Sequence, residues 1–120
     1  MFFDVKTTEE FNELTTQSKI CVVDFYASWC HPCKEASIEL EQKVKENNEL
    51  FMHVSSNNNP YNKTILFVKV NIDNFSDLVE IFELSSIPFF AFFKNGKLQK
   101  ENVNGNDVDS ILNILQKLLK

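Results

Sequence analysis

The stretch Asp24-Phe25-Tyr26-Ala27-Ser28-Trp29-Cys30-His31-Pro32-Cys33-Lys34 decides how this chain folds. It begins near the end of an almost continuous apolar run, Ile20 to Tyr26, the pattern of a strand covered on both faces. Asp24 is the single charge in that run. Past Pro32 the periodicity changes. Cys33, Ala36, Ser37, Leu40 and Val44 recur at spacings of three and four, with Glu and Lys between them. That predicts a helix with one buried face, closed by Asn47-Asn48. The two cysteines therefore stand where a strand gives way to a helix.

That placing gives them a chemistry. A helix start presents free backbone N–H groups and the positive end of the macrodipole. A thiolate there is stabilised, and a thiol pKa can fall from about 8.5 to roughly 3.5–7.5. The thiolate is the attacking species in disulfide exchange. Cys30, at the helix entrance, is expected to be the exposed nucleophile, and Cys33, one turn on and facing inward, the resolving thiol. Pro32 suits a first turn, where its missing N–H costs nothing, and it stiffens the link between the sulfurs. A single C-x-x-C on its own fits redox or metal chemistry. A structural zinc site usually needs four ligands. Cys21, His31 and His53 are the only other soft candidates, and none has a convincing spacing, so no metal is expected.

Outward from this stretch the chain alternates strand-like and helix-like segments. Phe2 to Val5 reads as a short strand. Thr7 with Glu10 is a capping-box pattern before Phe11 and Leu14 of a short amphipathic helix. Thr64 to Val70 is strand-like, Phe75, Leu78, Val79 and Phe82 space out as a helix face, and Pro88 to Phe93 is a further strand. Lys94-Asn95-Gly96-Lys97 is a hairpin turn, with Leu98 to Val103 as its return strand. Val108, Ile111, Leu112, Leu115, Leu118 and Leu119 form a final amphipathic helix. The order is β-α-β-α-β-α-β-β-α: an α/β fold with parallel pairing early and an antiparallel hairpin late. The segment from about Leu50 to Lys63, with its Asn57-Asn58-Asn59 run, reads as a polar surface loop.

Composition narrows the function further. The 120 residues fit a single domain, 1–120, and at 43% hydrophobic residues, with 12 Phe, they can build one ring-rich core. No stretch approaches the roughly 18 consecutive apolar residues a membrane-spanning helix needs. Met1-Phe2-Phe3-Asp4 lacks the basic flank and apolar core of a signal peptide, so a cytoplasmic location is expected. The net charge is −5, and all 12 basic residues are Lys. Without arginine forks or a basic cluster, neither nucleic acid nor membrane is an expected partner. Three cysteines are too few, and odd in number, for a disulfide-stapled scaffold. Cys21 reads as a buried core thiol and His53 as a loop residue.

The residues resemble the thioredoxin family over nearly the whole chain and in the right order. Phe25 to Lys34 is similar to its active-site segment, and Val68-Lys69-Val70-Asn71-Ile72-Asp73 to its middle strand. Ser86-Ile87-Pro88, the Phe-rich strand after it and Lys94-Asn95-Gly96 are similar to its cis-proline strand and hairpin. The resemblance implies a thioredoxin fold, a central mixed sheet of four to five strands flanked by about four helices. It implies a thiol–disulfide oxidoreductase that reduces protein disulfides, working as a monomer with no bound cofactor beyond a redox-active Cys30–Cys33 disulfide. Its partners would be disulfide-containing proteins and a thioredoxin reductase, the flavin enzyme that passes electrons from NADPH. Asp24 would be the buried carboxylate that exchanges a proton with Cys33 through a water, and Lys69 its partner. Pro88 would be the cis-proline facing the dithiol. Trp29, Ile87 and Pro88 would form the docking surface, where substrate backbone adds as a strand.

Some positions depart from the family pattern. His31 replaces a glycine, Ile38 stands where a helix-kinking proline is common, and Ser86 stands where a glycine often precedes Ile-Pro. Gly105 is one residue out of step with the family's substrate loop and receives no role. Two other functions fit the same residues: a more oxidising oxidase or isomerase, and a binding subunit with secondary redox chemistry. His31 bears on the first, because a protonated imidazole beside Cys30 stabilises its thiolate and makes the couple more oxidising. Titration of Cys30 in wild type and His31→Gly should show the lower thiol pKa in wild type; equal values would remove His31 as a tuning group.

Overall fold

The computed structural model describes all residues from Met1 to Lys120. The apolar run forms strand β2 (Ile20–Tyr26) at the centre of the sheet. Strand β3 (Ile65–Asn71) pairs with it in parallel and β4 (Phe89–Lys94) in antiparallel fashion. β1 (Phe2–Asp4) adds to β3, and β5 (Lys97–Asn104) to β4, giving the order β1-β3-β2-β4-β5. The helices are α1 (Thr8–Gln17), α2 (His31–Glu46), α3 (Asn48–Phe51), α4 (Ser76–Ile81) and α5 (Val108–Leu118). A 3₁₀ turn, Ile72–Asn74, follows β3.

Alternation along the strands splits the core in two. Ile20, Val22, Phe67, Phe90 and Phe92 pack under Ala36, Leu40 and Val44 of α2 and Ile111 and Leu115 of α5. Cys21, Val23, Phe25, Leu66, Val68 and Ala91 pack under Phe11 and Leu14 of α1 and Leu78 of α4. On this second face Phe82 meets Phe11, Phe25 and Phe93 edge-on or tilted, with ring centres 5.0–6.4 Å apart. Because Asp24 shares the parity of Ile20 and Val22, its side chain belongs to the α2 face.

Local signals explain most element ends. Thr7 Oγ1 accepts the Glu10 N–H at 3.1 Å, while the Glu10 carboxylate takes the Lys6 N–H, one residue further out than a standard capping box. Asn95 and Gly96 both have positive φ, 53° and 80°, as a two-residue type I′ hairpin turn requires. α2 runs unbroken through Ile38, in keeping with the lack of a proline there.

Asn47 ends α2 as expected and also starts a further single-turn helix, so five helices flank the sheet. Asn47 caps the end of α2 and its side chain accepts the Leu50 N–H at 3.0 Å, starting α3. The segment from Leu50 to Lys63 is not wholly a surface loop. Leu50 and Val54 are buried in the α2-face core, and Val54 bridges to Ile65. Ser55 N–H donates to the Ile65 carbonyl at 2.7 Å, and its Oγ accepts the Lys63 N–H at 3.0 Å. The Asn run itself is exposed throughout.

The two faces of α2 make a stability prediction. Leu40 is fully buried and Ile38 is 70% exposed. Denaturant unfolding should show a loss of about 2–5 kcal/mol for Leu40→Ala, and a change within about 0.5 kcal/mol for Ile38→Ala.

Candidate active site

Cys30 is the N-cap of α2, and it is disulfide-bonded to Cys33 with the two Cα atoms 5.3 Å apart. The Cys33 backbone N–H donates to Cys30 Sγ at 3.2 Å. A sulfur thus takes the place of the hydroxyl or carboxylate oxygen that usually satisfies a helix start. Pro32 sits in the first turn, where no N–H is needed. One expectation is corrected here. Cys30 is not exposed in the disulfide form: it is 5% accessible, barely more than Cys33 at 3%. The two cysteines cluster with Ala27, and Tyr26, Ile72 and Ile87 pack against them. An approaching sulfur has only a narrow opening.

Trp29 and the Ile87–Pro88 segment flank this opening. Trp29 is 69% exposed, and its indole N–H donates to Asp73 Oδ2 at 3.0 Å. Asp73 is held in turn by its own N–H, which donates to Asn71 Oδ1 at 3.0 Å. The Ile87–Pro88 peptide bond is cis. Pro88 is buried, and its carbonyl accepts the Gly105 N–H at 2.8 Å. Ser86 Oγ donates to Asn104 Oδ1 at 2.8 Å, a second tie from this loop to the end of β5. Sequence reading gave no role to Asp73, Asn104 or Gly105. Gly105 has φ 100°, a conformation that suits glycine. No spacing in the sequence connects Asp73 with Trp29.

Asp24 is fully buried on the α2 face of β2, and neither carboxylate oxygen has a hydrogen-bond partner. Burial pushes its pKa up to about 7, against the opposing pull of the Lys69 charge. Lys69 stands in register with it on β3. The expected Asp24–Lys69 partnership is nevertheless not a direct ion pair. Lys69 Nζ lies 4.4 Å from the centre of the Tyr26 ring and 5.4 Å from that of Phe2. Beside Cys33, a cavity of about 250 Å³ lined by Tyr26, Ala27, Ser28, Cys33, Lys34 and Lys69 gives room for water.

The remaining candidates lie apart. His31 is exposed, with Nε2 3.8 Å from Glu35 Oε1 one turn along α2. Cys21 is a buried free thiol, and burial pushes its pKa up to about 12 against a hydrogen bond with Ser18, so it is inert at neutral pH. His53 is half-buried beside a polar cleft with Glu49 and Gln116. No group of three or more His, Cys, Asp or Glu stands together as a metal site. No helix is long and apolar enough to cross a membrane.

A family model described as thioredoxin matches residues 3–117. This chain belongs to the thioredoxin family. A thioredoxin from Coprinus comatus is 32% identical over 115 residues, which cover 96% of this chain and 95% of that one. Thioredoxin-1 of Saccharomyces cerevisiae is 33% identical over 106 residues, 88% of each chain. The crystal structure of thioredoxin from Trypanosoma brucei brucei shares the fold with a TM-score of 0.78 at 24% identity, over 99% of this chain and 91% of that one. As a member of that family the chain is a thiol–disulfide oxidoreductase, and Cys30–Cys33 is its redox-active disulfide.

The Asp24 carboxyl makes stability depend on pH. Its folded pKa lies above the ordinary carboxyl value of 3.8, at about 7. Its stabilising effect is then complete below the unfolded pKa and lost as pH rises through the folded one. Asp24→Asn, which mimics the protonated form, should equal wild type near pH 4. It should exceed wild type by up to about 4 kcal/mol above pH 7. Denaturant unfolding of the oxidised proteins checks this, and a gap that stays constant with pH contradicts it.

Proposed function

We propose that this thioredoxin reduces protein disulfides with Cys30 as nucleophile and Cys33 as resolving thiol. The observation that carries the reading is the Cys33 N–H aimed at Cys30 Sγ at the start of α2. In the reduced protein that donor and the helix dipole stabilise a Cys30 thiolate. The thiolate attacks one sulfur of a substrate disulfide, forms a mixed disulfide and releases the other sulfur as a thiolate. Asp24, ionised, takes the Cys33 proton through a water in the adjoining cavity. Cys33 then attacks Cys30 Sγ, closes the Cys30–Cys33 disulfide and frees the second substrate thiol. Two electrons have passed from the protein dithiol to the substrate disulfide.

Trp29 and Ile87 form the surface on which substrate chain docks, with Pro88 buried behind Ile87 rather than part of that surface, and the exposure of Trp29 and the place of Ile87 against the cysteines support this. Lys69 tunes Asp24 by its charge, and His31 and Pro32 tune the dithiol. A flavin-containing thioredoxin reductase fed by NADPH returns the protein to its dithiol form, and the chain, a single domain, works as a monomer. Fold stability rests on a packed core rather than on structural disulfides, which suits a reducing compartment such as the cytoplasm.

Insulin disulfide reduction tests the roles. Cys30→Ser should abolish turnover. Cys33→Ser should abolish it while accumulating a mixed disulfide with substrate, because the attack that resolves it is gone. Trapping by Cys30→Ser instead would reverse the assignment.

A further inference from the structure

Strand register gives Lys69 a choice of partners. On the α2 face of the sheet, Lys69 is in register with Asp4 on β1 and Asp24 on β2. Phe2 and Tyr26 lie two residues away along the same strands, on the same face. Two of these four neighbours are carboxylates and two are rings. The ammonium goes to the rings, 4.4 Å from the centre of Tyr26 and 5.4 Å from that of Phe2. Asp4 is paired instead with Lys6, at 3.2 Å. Both Asp24 oxygens are left without a partner.

The physical reason lies in what each partner would require. Over the rings the ammonium is attracted by their negative faces and keeps part of its hydration, since Lys69 is only half-buried. Pairing with the fully buried Asp24 would draw the ammonium toward the interior and remove that water. Few other groups compete around Asp24. β4 sets Phe90 in register with it, and the core on this face of the sheet is apolar, with Ala36 of α2 and Val108 and Ile111 of α5 among its members. The charged or titratable groups on this side are Lys69 and, along the cavity, Lys34, Tyr26 and Cys33, with Asp4 beyond Lys69.

We propose that Tyr26 is a positioning residue whose ring holds the Lys69 ammonium short of Asp24, leaving the Asp24 carboxyl free to exchange a proton with Cys33. Lys69 then acts on Asp24 as a nearby charge rather than as a bonded partner. The inference rests on the reading of Asp24 as the proton acceptor, and it adds a residue that sets how basic the acceptor is. Removing the ring releases the ammonium to close on the carboxylate, which would then hold its charge to lower pH.

The test is the titration of the Asp24 side-chain carboxyl, followed by carbon-13 NMR in the oxidised protein, where no thiol of the pair titrates. Tyr26→Leu should lower the midpoint by roughly half a pH unit or more. Tyr26→Phe, which keeps the ring, should leave it at the wild-type value. In the Lys69→Met background, adding Tyr26→Leu should change nothing, because the ring would have no ammonium to hold. An unchanged or raised midpoint in Tyr26→Leu overturns the proposal. So does a drop that persists without Lys69, or one equally large in Tyr26→Phe. Insulin reduction by Asp24→Asn is read separately. Wild-type turnover there would remove the proton-acceptor role of Asp24, whatever the Tyr26 titrations show.

Discussion

The active site depends on one constraint, a strand buried on both faces that carries a single carboxylate. β2 is paired along its whole length with β3 on one side and from Ile20 to Phe25 with β4 on the other, and helices cover it above and below. Asp24 therefore has nowhere to turn for solvent. Burying a carboxyl without a hydrogen bond is expensive, and the group responds by holding its proton up to about neutral pH. The same strand ends at Tyr26, four residues before Cys30, so the fold sets the dithiol just beyond the end of the strand that carries the carboxyl.

The electrostatics of the site then follow from two opposed arrangements. At the start of α2 a free N–H and the helix dipole favour negative charge on Cys30. Within β2, the low-dielectric interior disfavours charge on Asp24. One group is pushed toward losing its proton and the other toward keeping one. Lys69 moderates the second arrangement from over the rings of Phe2 and Tyr26.

Much of this was legible in the sequence because it is local. The continuous apolar run of β2, the three-four spacing of α2, the Asn95-Gly96 turn and the position of Cys30 and Cys33 at a strand-to-helix boundary all lie within short windows. The cis Ile87–Pro88 bond came only from family resemblance, since spacing alone does not distinguish cis from trans proline. What stayed hidden depends on contacts between distant segments. Trp29 meets Asp73 across 44 residues and Ser86 meets Asn104 across 18. The helix α3 was hidden for another reason: a single turn held by Asn47 and the burial of Leu50 is too short to show a period. The burial of Cys30 was misread because the helix entrance suggests exposure, while the disulfide and the packing of Ile87 close over it.

His31 is exposed at the start of α2, next to Cys30. The central claim, that this thioredoxin gives electrons to substrate disulfides, is tested most directly by equilibrating the Cys30–Cys33 pair with glutathione redox buffers. The account predicts a reduction potential more negative than about −220 mV, on the thioredoxin side of the disulfide isomerases. A value at or above about −180 mV, in the isomerase and oxidase range, would contradict it.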